Sequence, residues 1–349
     1  MIEPIVAVIV PVFNVAEYLP KCLDSVCSQT LQEIEIIIVC DGQDADKKIC
    51  EDYAVRDKRI RLVKDINRGL GGARNAGLAL ATAPYVVFVD SDDWIQQDYC
   101  ALMLKRMQNN GVDLVHCETN IVYTKKFLKK IITGDKEYFS LKYSGVTKYD
   151  NEIIGNVDVA AWNKMYKMSI IRKYNILFPE KMQNEDAYFS WAYISTCSKI
   201  YYEKTQLYNY LRREGSLMDK TFNRQMNKEM IDHLIVGELF YDFLQRNVLF
   251  SKNVKAFWNA YAVCSWYSLE HTYEEYRGII EKRIFNFIRG KDISFLFDDP
   301  KFGVFREVLD KSVGQVVETM PPVRTTWRDK LRPTLPYRVI RKIYHALLG

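Results

Sequence analysis

The sequence predicts an α/β protein: a mostly parallel sheet with helices on both faces, followed by a helical C-terminal region. Apolar runs of strand length alternate with helically spaced segments five times between Ile5 and Cys117, the pattern of βα units. The breaks between them are short. From Phe222 onward the apolar spacing is helical and rich in Tyr, Phe and Trp.

Taken in order, Ile5–Val10 is a continuous apolar strand, and Ala16–Gln29 has helical spacing through Leu19, Cys22, Leu23 and Val26. Asn14 followed by Glu17 reads as a helix start, because Asn accepts orphan amide hydrogens and an early Glu suits the positive end. Strands follow at Ile34–Cys40, Ile60–Val63 and Tyr85–Val89, with helices at Lys47–Val55, Leu70–Ala81 and near Tyr99–Asn109. The fifth strand is Val112–Cys117. Residues 118–160 are mixed, a hairpin or a loop; 161–174 and 185–197 read as helices, and Lys199–Tyr210 as a strand. Three helices then span about 224–248, 253–270 and 274–288. A boundary near residue 217 divides the chain into a domain at 1–217, a helical domain at 218–322 ending at Pro321-Pro322, and a tail at 323–349.

A length of 349 residues suits two domains, and 48% hydrophobic with 27% charged residues is the composition of a folded globular protein. Eight cysteines without a CxxC pair, and only four histidines, argue against a zinc site or a disulfide framework and point to a reducing cytoplasm. No apolar run reaches the roughly 18–20 residues of a spanning helix. Ile5–Val12 carries Pro11, follows Glu3 and lacks a basic leader, so it reads as a buried strand and not a signal peptide. The net charge of +5 is uneven: seven basic residues against Asp329 give Arg324–Gly349 a net +6, leaving the rest at −1. A near-neutral body argues against nucleic-acid binding.

Ligands of such sheets gather at the carboxyl ends of the strands. There the sequence places Asp90-Ser91-Asp92-Asp93, directly after Tyr85–Val89. Carboxylates so crowded repel one another unless they share a cation. Magnesium or manganese fits, since these ions take one or two carboxylates plus substrate phosphate oxygens. The plainer reading has Asp92 or Asp93 capping the next helix. Pro11-Val12-Phe13-Asn14 and Asp41-Gly42 end the first two strands; an aromatic there can flank a nucleobase and a carboxylate can accept the uracil N3 hydrogen, although turn chemistry alone explains both. Asn67–Gly77 is glycine-rich, but a G-x-G-x-x-G motif needs glycine where Arg74 stands, and the segment follows the third strand. Close helix–sheet packing accounts for these glycines, with Arg74 facing either a nucleotide or solvent.

Together VIVPVFN, IIIVCDGQDAD, NRGLGGARNAG and YVVFVDSDDW resemble the inverting glycosyltransferases of family 2, which have the Rossmann-like GT-A fold. Further matches lie at Ala161–Lys167, Phe178-Pro179-Glu180, Asn184-Glu185-Asp186 and Tyr208–Ser216, so the resemblance covers about residues 5–218. It implies that Asp90 and Asp92 form the DxD pair serving ribose and a metal-bound diphosphate, with Mn2+ or Mg2+ as cofactor. Asp186 is then the base for the acceptor hydroxyl, and Arg213 closes over the diphosphate. The implied nucleotide-sugar site comprises Pro11, Phe13, Asn14, Glu17, Asp41, Arg74, Asp90, Ser91, Asp92 and Arg213, with Trp162, Lys164 and Glu185 on the acceptor side. The implied donor is a UDP-sugar and the acceptor a glycan or lipid-linked glycan of cell-surface polysaccharide synthesis. Two positions depart from the family: Cys40 stands for the first of two aspartates, and Gln43 for a serine.

In the tail, Arg338, Arg341, Lys342 and His345 share one helical face, opposite Ile340, Ile343, Tyr344 and Leu347. Such a helix suits peripheral contact with an anionic membrane at its inner face, or packing on the body or on a second subunit of a homo-oligomer. Competing readings are a sugar-nucleotide pyrophosphorylase, which wants a glycine-rich basic loop that Pro11–Tyr18 lacks, and a catalytically silent nucleotide-binding partner, which the acidic residues at 90, 92 and 186 disfavour.

Overall fold

The computed structural model describes residues 3–124, 139–216, 230–296 and 302–315. Strands β1 (Val6–Val12), β2 (Ile34–Cys40), β3 (Ile60–Lys64) and β4 (Tyr85–Phe88) pair in parallel in the order β3-β2-β1-β4. β1 and β2 are buried along their whole length, as continuous Val/Ile runs require when a parallel sheet is covered on both faces. The order reverses at β1, so a crevice opens between the carboxyl ends of β1 and β4.

Beyond β4 the sheet becomes mixed. β5 (Trp94–Ile95), β6 (Leu114–Tyr123), β7 (Gly145–Lys148), β8 (Lys164–Lys167) and β9 (Lys199–Arg212) complete nine strands in the order β3-β2-β1-β4-β8-β6-β9-β5, with β7 also on β9. The fifth predicted strand, β6, therefore does not lie beside β4: β8 separates them, antiparallel to both. This corrects the helix expected over 161–174. Its first part is strand and only Met168–Tyr174 is helical. Trp162, Met165, Tyr166 and Ile170 recur at helical spacing, yet Met165 and Tyr166 are fully buried between β4 and β6, and ladder pairing on both sides overrides the local period.

Helices α1 (Leu19–Cys27), α2 (Asp44–Arg56), α3 (Gly69–Leu80) and α4 (Tyr99–Asn110) connect the strands. α1 starts later than expected, and Asn14 is not its cap. Asn14 sits in the left-handed region at φ 54, Tyr18 occupies the cap position, and Pro20 lies in the first turn, where its missing N–H costs nothing. A Cβ on Gly77 would lie 2.5 Å from Ile9 Cγ2, so glycine lets α3 approach β1 closely. After α5 (Ile153–Asn156) and α6 (Met168–Tyr174), α7 (Glu185–Thr196) is buried almost throughout.

Compactness divides the chain into Met1–Ile280 and Glu281–Gly349. In the first unit α8 (Met230–Arg246) packs on α7, and α9 (Val254–His271) packs on α8 and α5. The boundary expected near residue 217 falls at the edge of 217–229, outside the described residues. Helix α10 (Glu274–Ile288) crosses the division, and the second unit adds α11 (Gly303–Gln315), preceded by buried Phe302. The tail at 323–349 also lies outside the described residues. No described helix is long and apolar enough to cross a membrane.

Candidate active site

The ends of β1 and β2 lie side by side, with Val12 opposite Cys40 and the Asp41 N–H donating to the Val12 carbonyl. Pro11 is buried, while Phe13, Asn14 and Glu17 are exposed, Phe13 by 65%. One carboxylate organises this edge. Asp46, buried in the first turn of α2, accepts the N–H groups of Asn14 (3.0 Å), Val15 (2.9 Å) and Gln43 (3.0 Å). A Cβ on Gly42 would collide with Asp46 Oδ2 at 2.3 Å, which explains that glycine. Asp41 Oδ1 accepts the Ile66 N–H at 2.5 Å, tying the loop after β3 to the same edge. Sequence reasoning assigned nothing to Asp46; the only signal was an acidic residue in the first turn of a helix opening on the binding edge.

Across the crevice, Arg74 on α3 joins two distant segments. Its Nη2 donates to Asp90 Oδ1 and its Nη1 to Glu185 Oε1, both at 2.8 Å, and its side chain is 2% exposed. The Nε has no hydrogen-bond partner among the described residues, and the guanidinium lies 5.2 Å from the Phe178 ring centroid. The neighbouring Asn75 fixes this approach, since its amide bonds both the N–H and the carbonyl of Phe178 at 2.8 Å. Asp90 at the end of β4 and Asp186 at the start of α7 thus share one electrostatic environment. Burial, the Glu185 charge and the Asp90 charge raise the Asp186 carboxyl to about 7, against the partial relief given by Arg74. Burial also raises Glu185, opposed by Arg74.

Asp92 Oδ2 accepts Arg213 Nε at 2.9 Å and Nη2 at 2.8 Å, and the Arg213 guanidinium stands 5.0 Å from the Tyr18 ring centroid. Burial raises Asp92, Arg213 lowers it and Asp90 raises it again. Ser91 is buried between them. Asp93 has a different task. Fully buried, it accepts the Leu211 N–H at 2.7 Å and the Tyr208 hydroxyl at 2.8 Å, anchoring β9 beneath the loop. It caps no helix side chain-to-backbone, and the helix that follows has Asp98 at its cap position.

The residues expected on the acceptor side are placed unequally. Glu185 is in the cluster just described. Trp162 is buried and stacks on Tyr208 (4.3 Å between centroids) and Tyr210 (5.1 Å). Lys164 is completely buried and donates to Asp158 Oδ1 (3.0 Å), the Ala160 carbonyl (2.6 Å) and Asn163 Oδ1 (2.8 Å), which occupies all three of its hydrogens.

Among the described residues no three His, Cys, Asp or Glu side chains form a ready-made metal cage. Asp90 and Asp92 nevertheless suit a hard divalent cation that completes its shell with diphosphate oxygens, because each presents a carboxylate 23% open with one oxygen steadied by an arginine. The eight cysteines are all free thiols.

A 3-2-1-4 half-sheet with acidic and basic side chains converging at its switch point is the arrangement of an α/β fold of the GT-A type. The description "Glycosyl transferase family 2" matches residues 7–174. EpsH of Bacillus subtilis (strain 168), which is named as a glycosyltransferase, is 35% identical over 254 residues, 71% of each chain. The chain belongs to glycosyltransferase family 2, and it is an enzyme of that class. Glycosyltransferase GlyA of Streptococcus pneumoniae is 35% identical over 224 residues, 62% of this chain and 32% of that protein. The structure of S. aureus TarS 1–349 in complex with UDP-GlcNAc has the same fold, with a TM-score of 0.55 over 92% of this chain and 95% of that one at 19% identity.

Proposed function

We propose that this glycosyltransferase is inverting and metal-dependent, moving a sugar from a nucleotide-diphosphate donor, a UDP-sugar, to a hydroxyl of a glycan or lipid-linked glycan in cell-surface polysaccharide synthesis. The observation that carries the reading is Arg74, whose two bonds draw Asp90 and the Glu185-Asp186 pair to one cleft. Donor-binding and proton-accepting carboxylates then stand where a single donor–acceptor pair can reach both.

On this reading Phe13 and Asp41 hold the uracil, and Asp90, Asp92, Arg74 and Arg213 surround the diphosphate. A Mn2+ or Mg2+ ion bound by Asp90 and Asp92 would neutralise charge on the leaving diphosphate. Asp186 accepts the acceptor hydroxyl proton as the oxygen bonds to the anomeric carbon and the diphosphate departs from the opposite face. A carboxyl near pH 7 is well matched to that work, since it is partly ionised at neutral pH and basic enough to take the proton. The basic tail at 324–349 is proposed to hold the enzyme at the inner face of the cell membrane. Removing it should abolish co-flotation with anionic vesicles, and equal recovery without it excludes that anchor.

Asp186→Asn tests the chemistry. It should bind donor normally and lose turnover by at least about 10²-fold, the usual scale for a general base. Turnover within a few-fold of the parent, measured by nucleotide release from a panel of nucleotide sugars with manganese or magnesium, overturns the assignment.

A further inference from the structure

Outside the catalytic cluster Asp158, Lys164 and His116 form a sealed group of titratable side chains, each 3% exposed or less. Asp158 is its hub. Its carboxylate receives Lys164 Nζ (3.0 Å), Asn163 Nδ2 (3.1 Å) and the Ala160 N–H (3.1 Å), with His116 Nε2 at 2.8 Å. These bonds fold residues 158–164 into a tight loop. Ser190 Oγ donates to the Val159 carbonyl at 2.8 Å. Ser190 lies four residues after Asp186, hence on the same helical face one turn along. The other end of the loop is Trp162, stacked on Tyr208, whose hydroxyl accepts the Asp90 N–H at 3.1 Å.

We infer that Lys164 and Asp158 are positioning residues for Asp186: the hub braces the loop that touches the base helix through Ser190 and the Asp90 turn through Trp162 and Tyr208. This rests on the reading of Asp186 as the base. Charged groups acting on Asp186 are Glu185, Arg74 and Asp90 from the cleft side, with Lys164 coupled to it from the hub. Lys164 in turn is flanked by Asp158, His116 and Cys117. Its completed hydrogen-bond shell leaves it no hydrogen for a substrate, so its influence on turnover is exerted through the protein.

The test is the pH profile of kcat/KM for the full chain with Lys164→Met, beside Ser190→Ala, which cuts the tether without burying a charge. For Lys164→Met the acid-side midpoint should rise, because a positive charge coupled to the base is gone and the loop that holds the base helix loses its hub. Donor KM should stay within about twofold. Ser190→Ala should keep the parent midpoint and lose kcat by roughly three- to tenfold, as a misplaced base does. A folded Lys164→Met enzyme with the parent midpoint overturns the inference; if that variant does not fold, an unchanged kcat in Ser190→Ala overturns it. Failure of the underlying reading is separately visible, since Asp186→Asn would then retain turnover.

Discussion

Two cationic side chains buried in the first compact unit have opposite relations to the cleft. Arg74 is bonded to Asp90 and Glu185, and the Asp90 side chain remains 23% open. Lys164 is bonded to Asp158, Ala160 and Asn163 with its own side chain fully enclosed and that of Asp158 1% exposed. In the first cluster a ligand can compete for carboxylate oxygens, so charge is held available at the surface. In the second the same kinds of group are consumed by one another and become architecture. Exposure of the anion, more than the identity of the cation, separates an open cluster from a brace.

The largest expected effect is at Arg74. Arg74→Met leaves Asp90 and Glu185 without their shared cation and should lower unfolding stability by about 3–5 kcal/mol in denaturant titration, as broken buried pairs do. A loss under about 1 kcal/mol would mean that solvent screens that cluster and that Arg74 does not hold the Asp90 turn to α7.

Asp186 sharpens the comparison through pH. Its folded-state carboxyl near 7 lies above the ordinary 3.8, so the folded protein holds a proton that the unfolded chain releases. The resulting stability is complete below about pH 4 and is lost as pH rises through about 7. Asp186→Asn should therefore unfold at a higher temperature than the parent at pH 8, by roughly 1–3 kcal/mol of stability, with the gap closing toward pH 5. With Asp186 as the proposed base, activity moves the other way, because the ionised carboxylate is then the working form.

Smallest in stability is the change at Arg213. Its pair with Asp92 is partly open, so Arg213→Met should cost less than about 1 kcal/mol in the same titration, while donor KM rises. A stability loss equal to that of Arg74→Met would mean that the Arg213–Asp92 pair is as enclosed as the Arg74 cluster.

Much of the fold was legible because burial imposes a period. The strands ending at Cys40 and near Phe88, and the helix over 274–288, emerged from apolar spacing alone. The segment 161–174 misled for the same reason: its helical spacing is real, but pairing between β4 and β6 decided the outcome. Likewise Asn14 has the chemistry of a helix cap, and Asp46, thirty-two residues away, claims its N–H. Nothing local announces such a partner.

The order of motifs, the acidic turn after β4 and the acidic pair opening α7 were determined by the sequence itself, since each is a short run at a predictable strand end or helix start. Only the tertiary structure decided which charges face the cleft and which are sealed. A side chain's availability depends on neighbours supplied by distant segments: Glu185 lies 111 residues from Arg74, and Arg213 lies 121 from Asp92. Hydrogen bonds over such separations form only after the sheet has brought its strand ends together, and no local pattern encodes them.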